Sequence, residues 1–449
     1  MLVKEPIISV SGLRGVIGES LSPELAMRFA CAFSAGLPEG PLVLTRDGRP
    51  SGPMLAEAIR AGLIAVGRSV LDGDVAATPT TGVLIRQHAA VGGIQISASH
   101  NPPPYNGLKL FNAQGQVLSA ESGERVVQQY HQGEIAWVDH LRLGETTPCA
   151  ETLEHHAGLV LATVATQRIR DRQFRVLLDS NGGAGSLLGR HLLTKLGCQI
   201  TVLGGENMGQ FEHPPEPTAE NLAGVQQRVV EAGADVGFCQ DPDADRLAVI
   251  DENGRYIGEE FTLALCLDHI LRQQKGPVVT NCSTSRMAQD LAEKYGVPFQ
   301  RSAVGEANVV ALMRETSAVF GGEGNGGPID PRVGYVRDSF VGMAQVLDAM
   351  AARQSTLSHL ADELPQYAIC KTKVPLKKDR ISAALAALED AFAEATPDHL
   401  DGLRLDWADR WLLVRASNTE PIVRAVAEAP IPSEAQELCD RASAIINSV

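Results

Sequence analysis

Three short strings in this 449-residue chain gather the residue types that handle phosphate. The first lies within residues 92–111, GGIQISASHNPPPYNGLKLF. Apolar Ile94 and Ile96 lead into Ser97-Ala98-Ser99-His100-Asn101, and Pro102, Pro103 and Pro104 stiffen the segment beyond. Asn106-Gly107 then turns the chain into the alternating run Leu108-Lys109-Leu110-Phe111. That pattern displays a hydroxyl on a rigid loop at the end of a strand and brings a lysine back beside it. A lone Ser-His pair of this kind is, on residue types alone, more often the polar tip of a hairpin. The second string, Asp241-Pro242-Asp243-Ala244-Asp245-Arg246, follows the apolar run 236–239. Alternate carboxylates in an extended segment project to one side, so three oxygens can converge on a hard cation that relieves their repulsion. The same spacing also suits an acidic surface turn. The third, Arg415-Ala416-Ser417-Asn418-Thr419-Glu420-Pro421 with Arg424 beyond, offers hydroxyls, an amide and guanidinium forks to an anion. An ordinary polar hairpin has that composition too. A glycine-rich run, 321–327, carries Glu323 and Asn325, and Glu323 can accept hydrogen bonds from hydroxyls.

Taken together and in this order, the strings resemble the alpha-D-phosphohexomutase family. Its serine loop reads T/S-A-S-H-N-P followed by N-G-x-K, its metal loop D-x-D-x-D-R, and its phosphate loop R-x-S-N/G-T-E-P-x-x-R. The resemblance spans the whole chain and implies a role for each matched position. Ser99 would carry a phosphoryl group, with Lys109, His100, Arg14 (in SGLRG) and Arg246 around it. Asp241, Asp243 and Asp245 would hold Mg2+, with phosphorylated Ser99 as a further ligand. Arg415, Ser417, Asn418, Thr419 and Arg424 would anchor the phosphate that is not reacting, while Glu323 and Asn325 would hold the sugar. Arg46, Arg49 and His213 match positions read as structural.

Two departures stand out against that pattern. The family's sugar string is usually G-E-x-S-G-H, but here Asn325 replaces the serine and Gly327 the histidine. Val304-Gly305-Glu306 carries a glutamate where some relatives have histidine. Both variants are similar to the archaeal-like and Bacteroidetes-like branches, and they leave the general acid and base open between Lys109 and Glu306. The implied reaction interconverts a hexose 6-phosphate and its 1-phosphate through a phosphoserine and a bisphosphorylated sugar. Glucosamine phosphate is the expected substrate, because losing the ring at 327 should leave room and remove a cation that would repel an ammonium. Mannose and glucose phosphates are the alternative, and a non-catalytic sugar-phosphate-binding relative is the alternative of another class.

The elements that must position these strings alternate strand and helix, which favours mostly parallel sheets covered on both faces. Units of roughly 110 residues repeat the order strand, small-residue loop, helix. Those loops are Asp47-Gly48-Arg49, Asp179-Ser180-Asn181 and Ser283-Thr284-Ser285. The expected architecture is α/β: three related domains with mixed, mostly parallel sheets (1–145, 146–256 and 257–366). A C-terminal α+β domain (367–449) follows, and the resemblance implies that the four domains surround a central cleft. Length alone calls for several cores.

A net charge of −15 argues against nucleic acid or an anionic membrane as the partner. The basic residues must therefore be concentrated where a phosphorylated sugar binds. The eight cysteines form no C-x-x-C pair and sit mostly in apolar runs. They suit free thiols in a reducing cytoplasm. No run reaches membrane-spanning length, and either a monomer or a homodimer is compatible with the sequence.

Overall fold

The structure is a computed structural model and describes residues 6–9, 12–149, 152–205, 209–417 and 422–449. Local signals start several elements where the sequence places them. The Ser22 hydroxyl accepts from Leu25 N–H at 3.2 Å and Pro23 takes the first position of the helix Pro23–Ala35. The Ser119 hydroxyl opens Ala120–Gln132 in the same way, and Gly133 closes it with φ +81°.

The described strands form four sheets. The first contains a parallel trio, Leu42–Arg46, Val70–Val75 and Gly92–Ile96, in which the first strand lies between the other two. The third of these pairs with an antiparallel strand, Tyr105–Asn112. The second sheet repeats this topology with Arg175–Asp179, Gln199–Leu203 and Val236–Gln240, followed by antiparallel Leu247–Asp251. The third sheet repeats it again with Val278–Asn281, Phe299–Ser302 and Phe320–Glu323, followed by Gly327–Ile329. Helices cross between the parallel strands in each copy, as such connections require. Gly92–Ile96, Val236–Gln240 and Phe320–Glu323 are buried at every position, as strands covered on both faces must be.

The first sheet is longer than its two counterparts. Ile7–Ser9 and Gly12–Val16 pair antiparallel on one edge, so Arg14 stands on a strand, opposite Gly107. On the other edge Thr146–Pro148 runs parallel to Val70–Val75. The sheet thus continues past residue 145 because Val70 N–H bonds to Glu145 C=O at 2.8 Å, tying the polar connection to the strand.

The helix Ser339–Arg353 is buried along 339–351 and packs against Glu259–Gln273 in a core shared by the second and third units. Asp338 caps it, accepting from Phe340 and Val341 N–H. The Asp338 carboxylate also meets His156 Nε2 at 2.8 Å, and His156 Nδ1 lies 2.9 Å from Thr80 Oγ1. One buried chain of contacts therefore joins all three units.

The C-terminal sheet is wholly antiparallel, in the order Ala368–Pro375, Ile422–Ala429, Trp411–Ala416, Leu403–Asp406, Thr396–Asp398. A single 3₁₀ turn, Lys378–Arg380, precedes Ile381–Ala391, and Thr396–Asp398 becomes an edge strand on which Pro397 needs no amide donor.

One close approach ties the fold to the acidic string. A Cβ on Gly183 would press against the Pro242 carbonyl and stand 2.5 Å from Pro242 Cα. Gly183→Ala is therefore expected to push the 241–246 turn aside and cost about 1–3 kcal/mol of stability. A denaturant midpoint equal to that of the parent would show that the backbone yields there without penalty.

Candidate active site

In all three repeats the turn between the last parallel strand and its antiparallel partner carries the candidate chemistry. These turns are 97–104, 241–246 and 324–326. The first is held in a costly conformation. Ser99 has φ +49°, the left-handed region that a residue with a side chain rarely adopts. Ser97 Oγ accepts from Ser99 N–H at 2.8 Å and donates to Asp47 at 2.7 Å. Arg49 is paired with Asp47 at 3.1 Å and donates to the carbonyls of Ser99 and Asn101, both at 2.7 Å, and of Pro102 and Tyr105, both at 2.9 Å. A buried guanidinium is thus the frame on which the serine loop is moulded.

Ser99 Oγ lies 2.9 Å from Asp241 Oδ2, so the first two turns meet directly. Asp241, Asp243 and Asp245 are fully buried and can each offer an oxygen within 4.8 Å of the others. Lys109 Nζ reaches across to Asp243 Oδ2 at 2.5 Å and Asp245 Oδ2 at 2.8 Å, and Thr78 Oγ1 donates to the same Asp243 oxygen at 2.5 Å. Burial and the two neighbouring carboxylates push Asp241 well above the ordinary carboxyl range. Burial pushes Asp243 the same way, but Lys109 and Thr78 overcome it and hold that group low. Burial disfavours charged Lys109, yet Asp243 and Asp245 outweigh it and keep the ammonium protonated. The other oxygens, Oδ1 of Asp243 and of Asp245, are buried with no protein partner among the described residues. Orphaned lone pairs in an all-oxygen cluster fit a hard divalent cation such as Mg2+.

Arg14 and Arg246 flank this centre. Arg14 Nη1 lies 3.4 Å from Asn101 Oδ1, and Arg246 N–H donates to Asp241 at 3.1 Å. His100 Nδ1 is 3.3 Å from Ser99 Oγ. Burial, with Arg246 and Arg14 nearby, pushes the pKa of His100 down to about 2, so its ring is neutral.

The third turn corrects one expectation. A Cβ on Gly327 would collide with Arg337 Cδ and lie 2.7 Å from its Cγ, so the place of a histidine ring is not free space. An arginine stem fills it, and a cation is still present. Arg337 pairs with Glu323 Oε2 at 3.0 Å, while Glu323 Oε1 accepts from Asn281 Nδ2 at 2.7 Å and Gly305 N–H at 3.2 Å. A carboxylate has about four acceptor sites, so one remains for a ligand. Asn325 Oδ1 is buried and finds no donor among the described residues. Glu306 is bound to Arg337 Nε at 2.9 Å, and burial raises its pKa.

The fourth sheet supplies the remaining wall. Arg415 Nε lies 3.1 Å from Asp401 Oδ2, Ser417 is buried, and Arg424 stands opposite both Arg415 and Lys373 in the ladder. Asn418 and Thr419 lie outside the described residues. A cavity of about 710 Å³ joins the four contributions, bounded by His100 and Arg246 on one side, Glu323 and Asn325 on a second, and Lys371, Lys373, Arg415 and Arg424 on a third. The two lysines are absent from the residues the sequence singles out. Their i, i+2 spacing on Ala368–Pro375 is the available signal, since it puts both on one face. Arg337 has no local signal beyond preceding the helix cap. Arg46 pairs with Asp74, and His213 Nε2 with Asp179 at 2.8 Å, both away from the cavity lining.

Four domain descriptions of phosphoglucomutase/phosphomannomutase match in order: domain I over 6–136, domain II over 154–254, domain III over 259–367 and the C-terminal domain over 371–445. A phosphoglucomutase/phosphomannomutase of Thermococcus kodakarensis is 37% identical over 95% of each chain. The chain belongs to this family. A probable phosphoglucosamine mutase of Methanopyrus kandleri is 33% identical over 96% of this chain and 95% of its own. Among solved structures, a phosphoglucomutase/phosphomannomutase family protein of Burkholderia thailandensis superposes with TM-score 0.86 at 25% identity, covering 98% of this chain and 97% of the other. An Aspergillus fumigatus N-acetylphosphoglucosamine mutase, solved with GlcNAc-6P and magnesium, shares the fold at TM-score 0.61 and 16% identity, covering 99% and 96%.

In this family member Glu260 also lines the cavity, next to Glu259 in the chain. Glu260 accepts from Ser285 N–H at 3.0 Å, and its carboxylate lies so close to Gly324 that a Cβ there would collide with both oxygens. Burial pushes Glu260 up to about 8 and Glu259 up to about 7, from an ordinary 4.5. Folding therefore favours their protonated forms. The stability they contribute is complete below the unfolded value and is lost as pH rises through 7 to 8. Between about pH 6 and pH 9 the melting temperature should fall by roughly 2–4 °C more in the parent than in Glu260→Gln. Equal falls in the two proteins would count against a buried acid at this position.

Proposed function

We propose that the enzyme interconverts a hexose 6-phosphate and its 1-phosphate, with Ser99 as the phosphoryl carrier. The observation that carries this reading is the placement of Ser99 Oγ. It is 2.9 Å from Asp241, on a loop held at positive φ, beside the cavity that two lysines and two arginines of the fourth sheet also line. Asp241, Asp243 and Asp245, with a phosphoryl oxygen on Ser99, would hold Mg2+, which would neutralise charge on the group in transfer.

The chain's own residues account for the remaining steps. Phosphorylated Ser99 gives its phosphoryl group to a sugar hydroxyl: the bond from phosphorus to Ser99 Oγ breaks and one to the sugar oxygen forms. The hydroxyl proton ends on Ser99 Oγ. Neutral His100, 3.3 Å from that oxygen, helps to orient it. Lys109 stays protonated and serves as a fixed cation rather than a base, and Glu306 is committed to Arg337. Arg14, Arg246 and Lys109 surround the moving phosphate. Arg415, Ser417, Arg424, Lys371 and Lys373 hold the other one, joined by Asn418 and Thr419 as the family pattern implies. The bisphosphorylated sugar then turns over in the cavity and returns its second phosphate to Ser99, so the same contacts serve both orientations. The chain divides for this purpose near residues 145, 256 and 366, and its eight unpaired cysteines suit a reducing cytoplasm.

Glucosamine phosphate is the favoured substrate. The buried, donorless Asn325 Oδ1 offers an acceptor to an ammonium, Glu323 keeps one acceptor site for a neighbouring hydroxyl, and the Methanopyrus kandleri relative is named for that sugar. The Thermococcus kodakarensis relative, named for glucose and mannose phosphates at 37% identity, supports the second reading. The purified chain should be recovered partly phosphorylated by intact mass, and Ser99→Ala should lose the added mass and all but a trace of turnover while melting normally. In side-by-side kinetics, glucosamine 6-phosphate should exceed the glucose and mannose phosphates in kcat/KM by on the order of tenfold, the worth of one charged hydrogen bond. A win for either neutral sugar would overturn the preference and leave the mutase intact. Full turnover by Ser99→Ala would overturn the carrier.

A further inference from the structure

We propose that Arg337 is a positioning residue which fixes the metal loop against the sugar loop and so couples cation binding to sugar-phosphate binding. The inference rests on the mutase reading above. Each nitrogen of the guanidinium meets a carboxylate from a different segment: Nη2 on Asp245 Oδ2 at 2.7 Å, Nη1 on Glu323 Oε2 at 3.0 Å, and Nε on Glu306 Oε2 at 2.9 Å. Glu306 Oε1 also accepts from the Arg337 amide at 3.3 Å. The group is 8% exposed, so these pairs act with little screening by water.

Two independent features show that the arrangement is built. The stem of Arg337 crosses Gly327 so closely that a Cβ there would collide with Cδ, meet Cγ at 2.7 Å and Cβ at 3.0 Å; glycine is what lets it pass. The next residue is fixed as well, since Asp338 N–H bonds to Pro328 C=O at 2.9 Å and Asp338 caps the buried helix. At the other end Arg337 and Lys109 share Asp245 Oδ2, leaving Oδ1 without a partner among the described residues. The free oxygen of a candidate metal ligand is therefore oriented by the same planar fork that orients Glu323. A lysine carries the charge but cannot span three carboxylates in one plane.

The test measures coupling rather than turnover alone. Calorimetry in a Ser99→Ala background reads glucosamine 6-phosphate affinity with and without Mg2+. Saturating Mg2+ should tighten the sugar phosphate by about fivefold or more, a usual size for linked sites. In Arg337→Lys that factor should fall to near one, while the same substitution in the active chain lowers kcat on the order of a hundredfold. Gly327→Ala, which keeps the charge but displaces the stem, should reproduce the loss and provides the answer if Arg337→Lys does not fold. A coupling factor within twofold of the parent in the folded variant overturns the proposal. An active parent with unaltered coupling in the variants refutes this inference alone, whereas a parent inactive on every hexose phosphate refutes the mutase reading.

Discussion

Three carboxylates buried within 4.8 Å of one another cannot persist unless cations are brought to them, and the rest of the molecule is arranged to bring them. Lys109 arrives from the antiparallel strand of the first sheet, and Arg337 from the segment between the third sheet and the buried helix. Neither belongs to the sheet that carries the aspartates. Thr78, at the start of a helix in the first unit, adds its hydroxyl and also donates its amide to Asp243 C=O at 2.9 Å. Parting the three units would break these pairs. The candidate active site is therefore also the joint that holds the first three units together.

The fourth sheet is attached on different terms. Trp411 and Leu413 form a small cluster with Cys282 of the third unit, and Arg404 lies over the Trp411 ring at 4.2 Å. Around that cluster the contacts are polar. Glu428 accepts from Trp411 Nε1 at 2.8 Å and from Arg286 N–H at 2.9 Å, Arg301 meets Asp406 at 2.9 Å, and Asp401 accepts from Val304 N–H at 3.0 Å. A small apolar centre within a polar rim is the kind of interface that allows domains to move against each other. The same Asp401 carboxylate pairs with Arg415, so the residue that would grip phosphate is linked to the junction between the units.

The features legible in the chain are the contiguous ones. The serine turn, the aspartate string and the Arg415 string each gather their polar residues within a few positions. Arg14 lies on the strand Gly12–Val16, which opens on Gly12 at φ +126°. One misreading concerns Gly327. A missing side chain suggests room, but interiors are filled to near crystal density, and the occupant comes from ten residues further along. Arg337 and Asp245 are 92 residues apart, and Lys109 and Asp243 are 134 apart. No spacing rule connects pairs that only a folded sheet brings together. Arg49 escapes notice as the mould of the serine loop for a related reason: its acceptors are main-chain carbonyls, which leave no trace in residue type.

The recurrence of one hairpin in three sheets gives the cleft a further property. Eight residues bridge the strands in the first copy, six in the second and three in the third, yet each turn is entered and left by the same pair of strand types. The ladder holds the ends of each turn at a set spacing, so length and lettering can change between them at small cost to the sheet. Innovation in such a molecule is compartmented. A lineage could rewrite residues 324–326 while the strands that frame the other two turns stay as they are.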